Sequence, residues 1–139
     1  MKTKRVASVG ILVILTFFVV LHALILLGIV PFQMVWGGRL TERSRMVVFE
    51  SVSLVVNLLM ILVVLVQAGR LRLKVKAIVL KVALWAMALL FGLNTLGNAL
   101  SNNALEKSLF TPLTLLLCLG CLRLALSKGA ASETVTSVK

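Results

Sequence analysis

The stretch MVVFESVSLVVNLLMILVVLVQA, Met46 to Ala68, decides what kind of protein this is. It has one formally charged side chain, Glu50, in 23 residues, and its apolar residues lie on every side of a helix. A helix apolar all round is either deeply buried or set in lipid. About 20 such residues, rising about 1.5 Å each, cross the hydrocarbon core of a bilayer. Working outward, three more segments have this character: Val6 to Val30, Ala77 to Leu100 and Leu109 to Ser127. What lies between them is too short to be anything but connectors, because irregular backbone facing lipid would leave its polar groups unsatisfied.

The expected fold is therefore all-α, an integral membrane bundle of four transmembrane helices at about 6–30, 46–68, 77–100 and 109–127. They form a single transmembrane domain over 1–139, with a polar C-terminal tail from 128 to 139. Composition agrees: 60% of the 139 residues are hydrophobic, 14% are charged, and mean hydropathy is +1.12. An ordinary soluble domain has about a quarter charged residues, and disorder needs low hydrophobicity. The first segment has a basic start but outruns the 7–15 apolar residues of a signal peptide. It ends at Pro31 without a small-x-small cleavage site and reads as a retained helix.

The net charge of +11 belongs to topology rather than to nucleic acid. With four crossings, Lys2, Lys4, Arg5, Arg70, Arg72, Lys74, Lys76, Lys128 and Lys139 share one side, against Arg39, Arg43, Arg45 and Lys107 on the other. Basic residues in short loops mark the cytoplasmic face, so both termini are expected there. Lys81 and Arg123 lie inside spans near that face, where long stems reach the headgroups. The loop Arg70-Leu71-Arg72-Leu73-Lys74-Val75-Lys76 alternates basic and apolar residues, and is either a solvated topogenic loop or a chain lying along an anionic leaflet. The first connector reads either as an interfacial anchor, through Trp36, or as a lid hinged at Gly37 and Gly38, with the anchor the plainer account.

Ionisable and amide side chains inside spans are costly and mark function by default. His22 lies in the first helix. Glu50, Ser53 and Asn57 share one face of the second, spaced three and four apart. Asn94 and Asn98 repeat the design on the third, with Gly97 and Ser101 on the same pattern, and Thr111, Thr114, Cys118 and Cys121 form a stripe on the fourth. Measured from the span midpoints at about 1.5 Å per residue, His22 lies about 6 Å outward, Glu50 about 10 Å, Asn94 about 8 Å, Asn98 about 14 Å, and Thr111 and Thr114 about 10 and 6 Å. Asn57 is close to the middle. The polar groups gather in the extracytoplasmic half, and the cytoplasmic half is nearly all aliphatic. Two readings fit: interhelical hydrogen bonds that hold the bundle together, or a polar pocket that binds or translocates a ligand through eight side chains, His22, Glu50, Ser53, Asn57, Asn94, Asn98, Thr111 and Thr114. Glu50 then has to be protonated, paired with His22 or a loop arginine, or in contact with water.

Cys118-Leu119-Gly120-Cys121 is a CxxC, similar to that of four-helix thiol oxidoreductases of the vitamin K epoxide reductase kind. Those relay electrons through further loop cysteines. Here there are two cysteines and none in a loop, which fits small packing residues. One His and two Cys at different depth do not make a zinc site, and no phosphate-binding loop or nucleophile elbow is present, so no metal and no cofactor is expected. Ala88 and Gly92 form a small-xxx-small pair suited to close helix approach, within the bundle or between subunits.

The strings Trp36-Gly37-Gly38-Arg39-Leu40, Val48-Phe49-Glu50, Asn94-Thr95-Leu96-Gly97-Asn98, Glu106-Lys107 and Thr111-Pro112-Leu113-Thr114 resemble a pattern in small bacterial four-helix integral membrane proteins of unassigned function. The resemblance implies their fold and a bacterial inner membrane, and no activity. Small four-helix multidrug transporters have a similar size, but their glutamate is in the first helix, where this chain has His22 and no acid.

Three functions follow. The first is a transporter or channel subunit for a small polar or cationic solute, proton-coupled through Glu50 and His22 and assembled as a homo-oligomer. The second is a non-catalytic accessory, immunity-type or lipid-binding protein whose partners are membrane lipids or another membrane protein. The third, and weakest, is an enzyme using His22 with Glu50 as general acid and base.

Overall fold

The computed structural model describes residues 2–36 and 41–127. Residues 37–40 and the tail from 128, on which the hinge glycines and the basic residues Arg39, Lys128 and Lys139 fall, lie outside them. The described residues form four long helices and no strand: α1 (Lys2–Leu26), α2 (Arg43–Gln67), α3 (Ala77–Ala99) and α4 (Thr111–Ala125). A 3-10 turn, Phe32–Met34, lies in the first connector, and a π-helical turn, Glu106–Phe110, leads into α4. All four helices, α4 taken with its π turn, are long and apolar enough to cross a membrane. Val13, Val52, Leu89 and Leu116 are among many large apolar side chains left outside, on every helix. Such surfaces are tolerable in lipid and not in water.

Each helix ends for a local reason. Gly28, at φ +74, closes α1 by donating to Ile25 O at 2.9 Å while Ile29 reaches Leu24 O at 2.9 Å. Gly69, at φ +69, closes α2 the same way, through Val66 O at 3.0 Å and, from Arg70, Leu65 O at 2.9 Å. Both are Schellman caps, which need the left-handed conformation open to glycine. α1 therefore stops four residues before Val30, the end of the apolar run, and Leu27 to Val30 belong to the connector.

The fourth helix departs most from its apolar run. Pro112 lacks an N–H and its ring conflicts with the carbonyl of Ser108, so a regular α-turn cannot continue through it. The chain widens into the π turn, where Thr111 Oγ1 donates to Glu106 O at 3.2 Å. Helix thus begins at Ala104, five residues before the apolar run does, and Glu106 comes into the bundle.

Around the bundle α1 packs on α2 and α4, and α4 packs on α3, whereas α2 and α3 scarcely touch. One half is a closed aliphatic core of Ile11, Leu15, Val64, Leu84, Leu117 and Leu124, with Met60 and Phe91 among its upper members. α1 meets α4 closely because Gly120 has no side chain: a Cβ there would lie 2.9 Å from Ile11 Cγ1. Arg123 Nη2 donates to Thr3 Oγ1 at 3.2 Å, tying the end of α4 to the start of α1. The opposite half holds a smaller cluster of Ile25, Val35, Met46 and Phe110 beneath the first connector. His22, Glu50, Ser53, Asn57, Asn94, Asn98 and Thr114 lie between these two clusters.

Candidate functional site

Glu50 is fully buried, about two helical turns from the start of α2. A carboxylate out of water needs donors. It has two, from different parts of the chain. His22 Nδ1 of α1 lies 2.5 Å from Oε2, and the Trp36 indole N–H donates to Oε1 at 2.7 Å. Two lone pairs cannot face each other at the His–Glu distance, so one proton lies between the ring and the acid. Trp36 reaches Glu50 by adopting φ +59, a left-handed conformation that costs a bulky residue about 1–3 kcal/mol. The indole bond to the acid and the packing of the ring on Phe49, centroids 5.2 Å apart, offset that cost. The indole N–H is thus directed at a buried acid, a role that the interfacial-anchor reading of Trp36 does not include.

Below this triad a cleft of about 490 Å³ runs between α2 and α3. Seven of the eight polar residues singled out in the sequence line it: His22 from α1, Glu50, Ser53 and Asn57 from α2, Asn94 and Asn98 from α3, and Thr114 from α4. The eighth, Thr111, does not; its hydroxyl serves the carbonyl of Glu106 inside the π turn. Two further lining residues with polar groups, Trp36 and Glu106, are not in that set, and Phe110 is among the aromatic walls. Glu106 had a signal, since Asn103 three positions earlier is a helix-start pattern. Asn103 Oδ1 does accept from the Leu105 N–H, at 2.9 Å. Trp36 had none, because its place depends on the path of an irregular connector.

The polar lining is unevenly satisfied. Thr114 donates to Phe110 O at 2.8 Å, and its oxygen lies 3.0 Å from Thr95 Oγ1 and 3.5 Å from Asn98 Nδ2. Asn57 Nδ2 donates to Ser53 O at 2.8 Å, but Asn57 Oδ1 is buried with no hydrogen-bond partner. The Asn94 side chain is exposed along the α2–α3 gap and makes no hydrogen bond among the described residues. Elsewhere the walls are apolar, with Phe18, Leu21, Ile25, Val56 and Leu90 among them, and Met60 and Phe91 close the floor. The cleft is a dead end whose side is open: Val52, Leu90 and Asn94 line it and are also exposed.

Cys118 and Cys121 are free thiols in the aliphatic half, Cys121 fully buried and Cys118 Sγ 3.6 Å from where a Cβ on Gly92 would stand. Among the described residues no three His, Cys, Asp or Glu side chains come close enough to hold a metal ion.

Comparison with family models, with curated proteins and with solved structures finds no match for this chain. What stands of the resemblance to small four-helix membrane proteins is the set of four apolar helices, each able to cross a membrane.

Proposed function

We propose that the protein binds a small polar or cationic solute in the cleft between α2 and α3 and acts as a subunit of a transporter or channel in the bacterial inner membrane, both termini in the cytoplasm. The observation that carries this reading is the meeting of polar side chains from all four helices around one cleft, with the fully buried Glu50 at its head. A bundle held together by scattered polar contacts has no need to spend them on one cavity, nor to leave the Asn57 oxygen unpaired there. The His22–Glu50 contact supports proton coupling, because a solute that takes up the acid has to displace the shared proton or the ring that holds it. The closed aliphatic half makes the single chain a dead end, so passage needs a second conformation or a homo-oligomer.

The test is flux in vesicles. Proteoliposomes loaded with a pH-sensitive dye and challenged with tetramethylammonium are expected to show proton movement that Glu50→Gln lowers at least tenfold. Undiminished movement in the variant removes the transport reading. A non-catalytic lipid-binding or accessory role is favoured by one separate feature, the sideways opening of the cleft toward the place lipid would occupy. Its signature is retention of a lipid or partner through purification with no flux.

A further inference from the structure

The chain has 15 lysines and arginines and 4 acids, yet among the described residues the cleft is lined by Glu50, Glu106 and His22 and by no lysine or arginine. That segregation runs against the composition. A cavity for an anionic or phosphate-bearing molecule would have drawn on the abundant cations. This one offers the Glu50 carboxylate at its head and, deeper along α2, an amide oxygen, Asn57 Oδ1, that lacks a donor. The complementary head is a hydrogen-bond donor carrying positive charge. The rest of the lining is aliphatic and aromatic, and the gap between α2 and α3 leaves Val52, Leu90 and Asn94 facing outward along the same flank. A molecule entering by that flank comes from the hydrocarbon, not from water.

We infer that the cleft takes an amphiphilic amine, a primary alkylammonium whose tail lies between α2 and α3 and whose head replaces the Trp36 indole on Glu50 Oε1; this rests on the solute-binding reading above and names its ligand class. The indole is the group that gives way. His22 holds the other oxygen from within α1, whereas Trp36 hangs from a connector, is 40% exposed and sits in a strained backbone conformation. Releasing it relieves that strain. An ammonium group, with three N–H donors and a full positive charge, serves Glu50 Oε1 better than the single indole N–H does.

Trp36 reports its own displacement once Trp85, the other tryptophan, is changed to phenylalanine. The Trp85→Phe protein in zwitterionic nanodiscs is titrated with dodecylammonium, dodecanol, dodecanoate and propylammonium. Dodecylammonium is expected to shift Trp36 emission saturably to the red, with the other three at least tenfold weaker. Glu50→Gln should weaken it at least tenfold. Val56→Phe, which narrows the cleft wall without touching the triad, should do the same if the Glu50 variant fails to fold. Equal shifts with dodecanol overturn the charged head but leave the cleft as a binding site. Propylammonium matching dodecylammonium overturns the tail and leaves a pocket for small cations. An unaffected Val56→Phe puts the binding elsewhere and overturns the inference. No saturable shift with either amine removes both the inference and the solute-binding reading.

Discussion

At Glu50 a single side chain joins three segments that are distant in sequence. Its partners are 28 residues away in α1 and 14 away in the connector, and neither could hold it alone, since each serves one oxygen. Because the carboxylate is out of water, removing a donor costs the net hydrogen bond and leaves an acceptor unsatisfied. Trp36→Phe keeps an aromatic ring for Phe49 and deletes only the N–H; it should lower stability by about 1.5–3 kcal/mol, the range for bonds to charged groups. Thermal unfolding in detergent measures this, and an unchanged midpoint would mean that the indole bond contributes nothing. His22→Ala and Glu50→Gln should be non-additive, with a coupling of about 1–3 kcal/mol in a double-mutant cycle. Additive losses would show that the two side chains act separately. Much of this centre was legible, because an acid and a histidine in apolar runs announce themselves and their depths, from residue counts alone, put them within reach of each other. Trp36 was not, since no periodicity describes an irregular connector and the left-handed turn that aims the indole falls on a residue that rarely adopts it.

The elements show where apolar patterning is a good guide and where backbone chemistry overrides it. Hydrophobic runs mark where lipid-facing helix is stable, and α2 and α3 follow theirs to within a few residues. α1 begins a turn before its apolar run and stops short of its end, because Gly28 can take φ +74 and the chain turns there. α4 starts early, because the π turn that accommodates Pro112 extends the helix into a polar stretch that hydropathy alone assigns to the loop. That extension carries Glu106 to the cleft, and the π turn leaves Thr111 off it, so one misread boundary accounts for a missed polar lining residue and the π turn for a misplaced one. The glycine that matters most in α4 is Gly120. A Cβ there would approach Ile11 Cγ1 to 2.9 Å and Cδ1 to 3.0 Å, so Gly120→Ala has to push α1 and α4 apart or force Ile11 from its rotamer. A loss of about 1–3 kcal/mol is expected, the usual result of overpacking. Gly97→Ala, with nothing within 4 Å of the added carbon, is the matched control and should be neutral or slightly stabilising. Equal effects at the two positions would deny the close α1–α4 contact.

Across the whole molecule charge is sorted by end. The Arg123–Thr3 contact puts the end of α4 beside the start of α1, and the loop between α2 and α3 lies at that same end. Lys4, Arg5, Arg70, Arg72, Lys74, Lys76 and Arg123 are there, and none of the described acids is; Glu42, Glu50 and Glu106 all belong to the half toward the other end. The loop residues carry most of the imbalance. Orientation follows the lysines and arginines of short loops, with acids contributing little, so the loop should be the deciding segment. Replacing Arg70, Arg72, Lys74 and Lys76 by asparagine leaves five basic residues against four, close to parity. A C-terminal fusion reads the result: green fluorescence reports a cytoplasmic end and alkaline phosphatase an external one. The native chain should be fluorescent and phosphatase-negative, and the fourfold variant should give substantial signal in both. Phosphatase activity on the native chain would invert the bundle and turn the head of the cleft toward the cytoplasm. Glu50 and its neighbours would keep their geometry, but any solute would have to meet them from inside the cell.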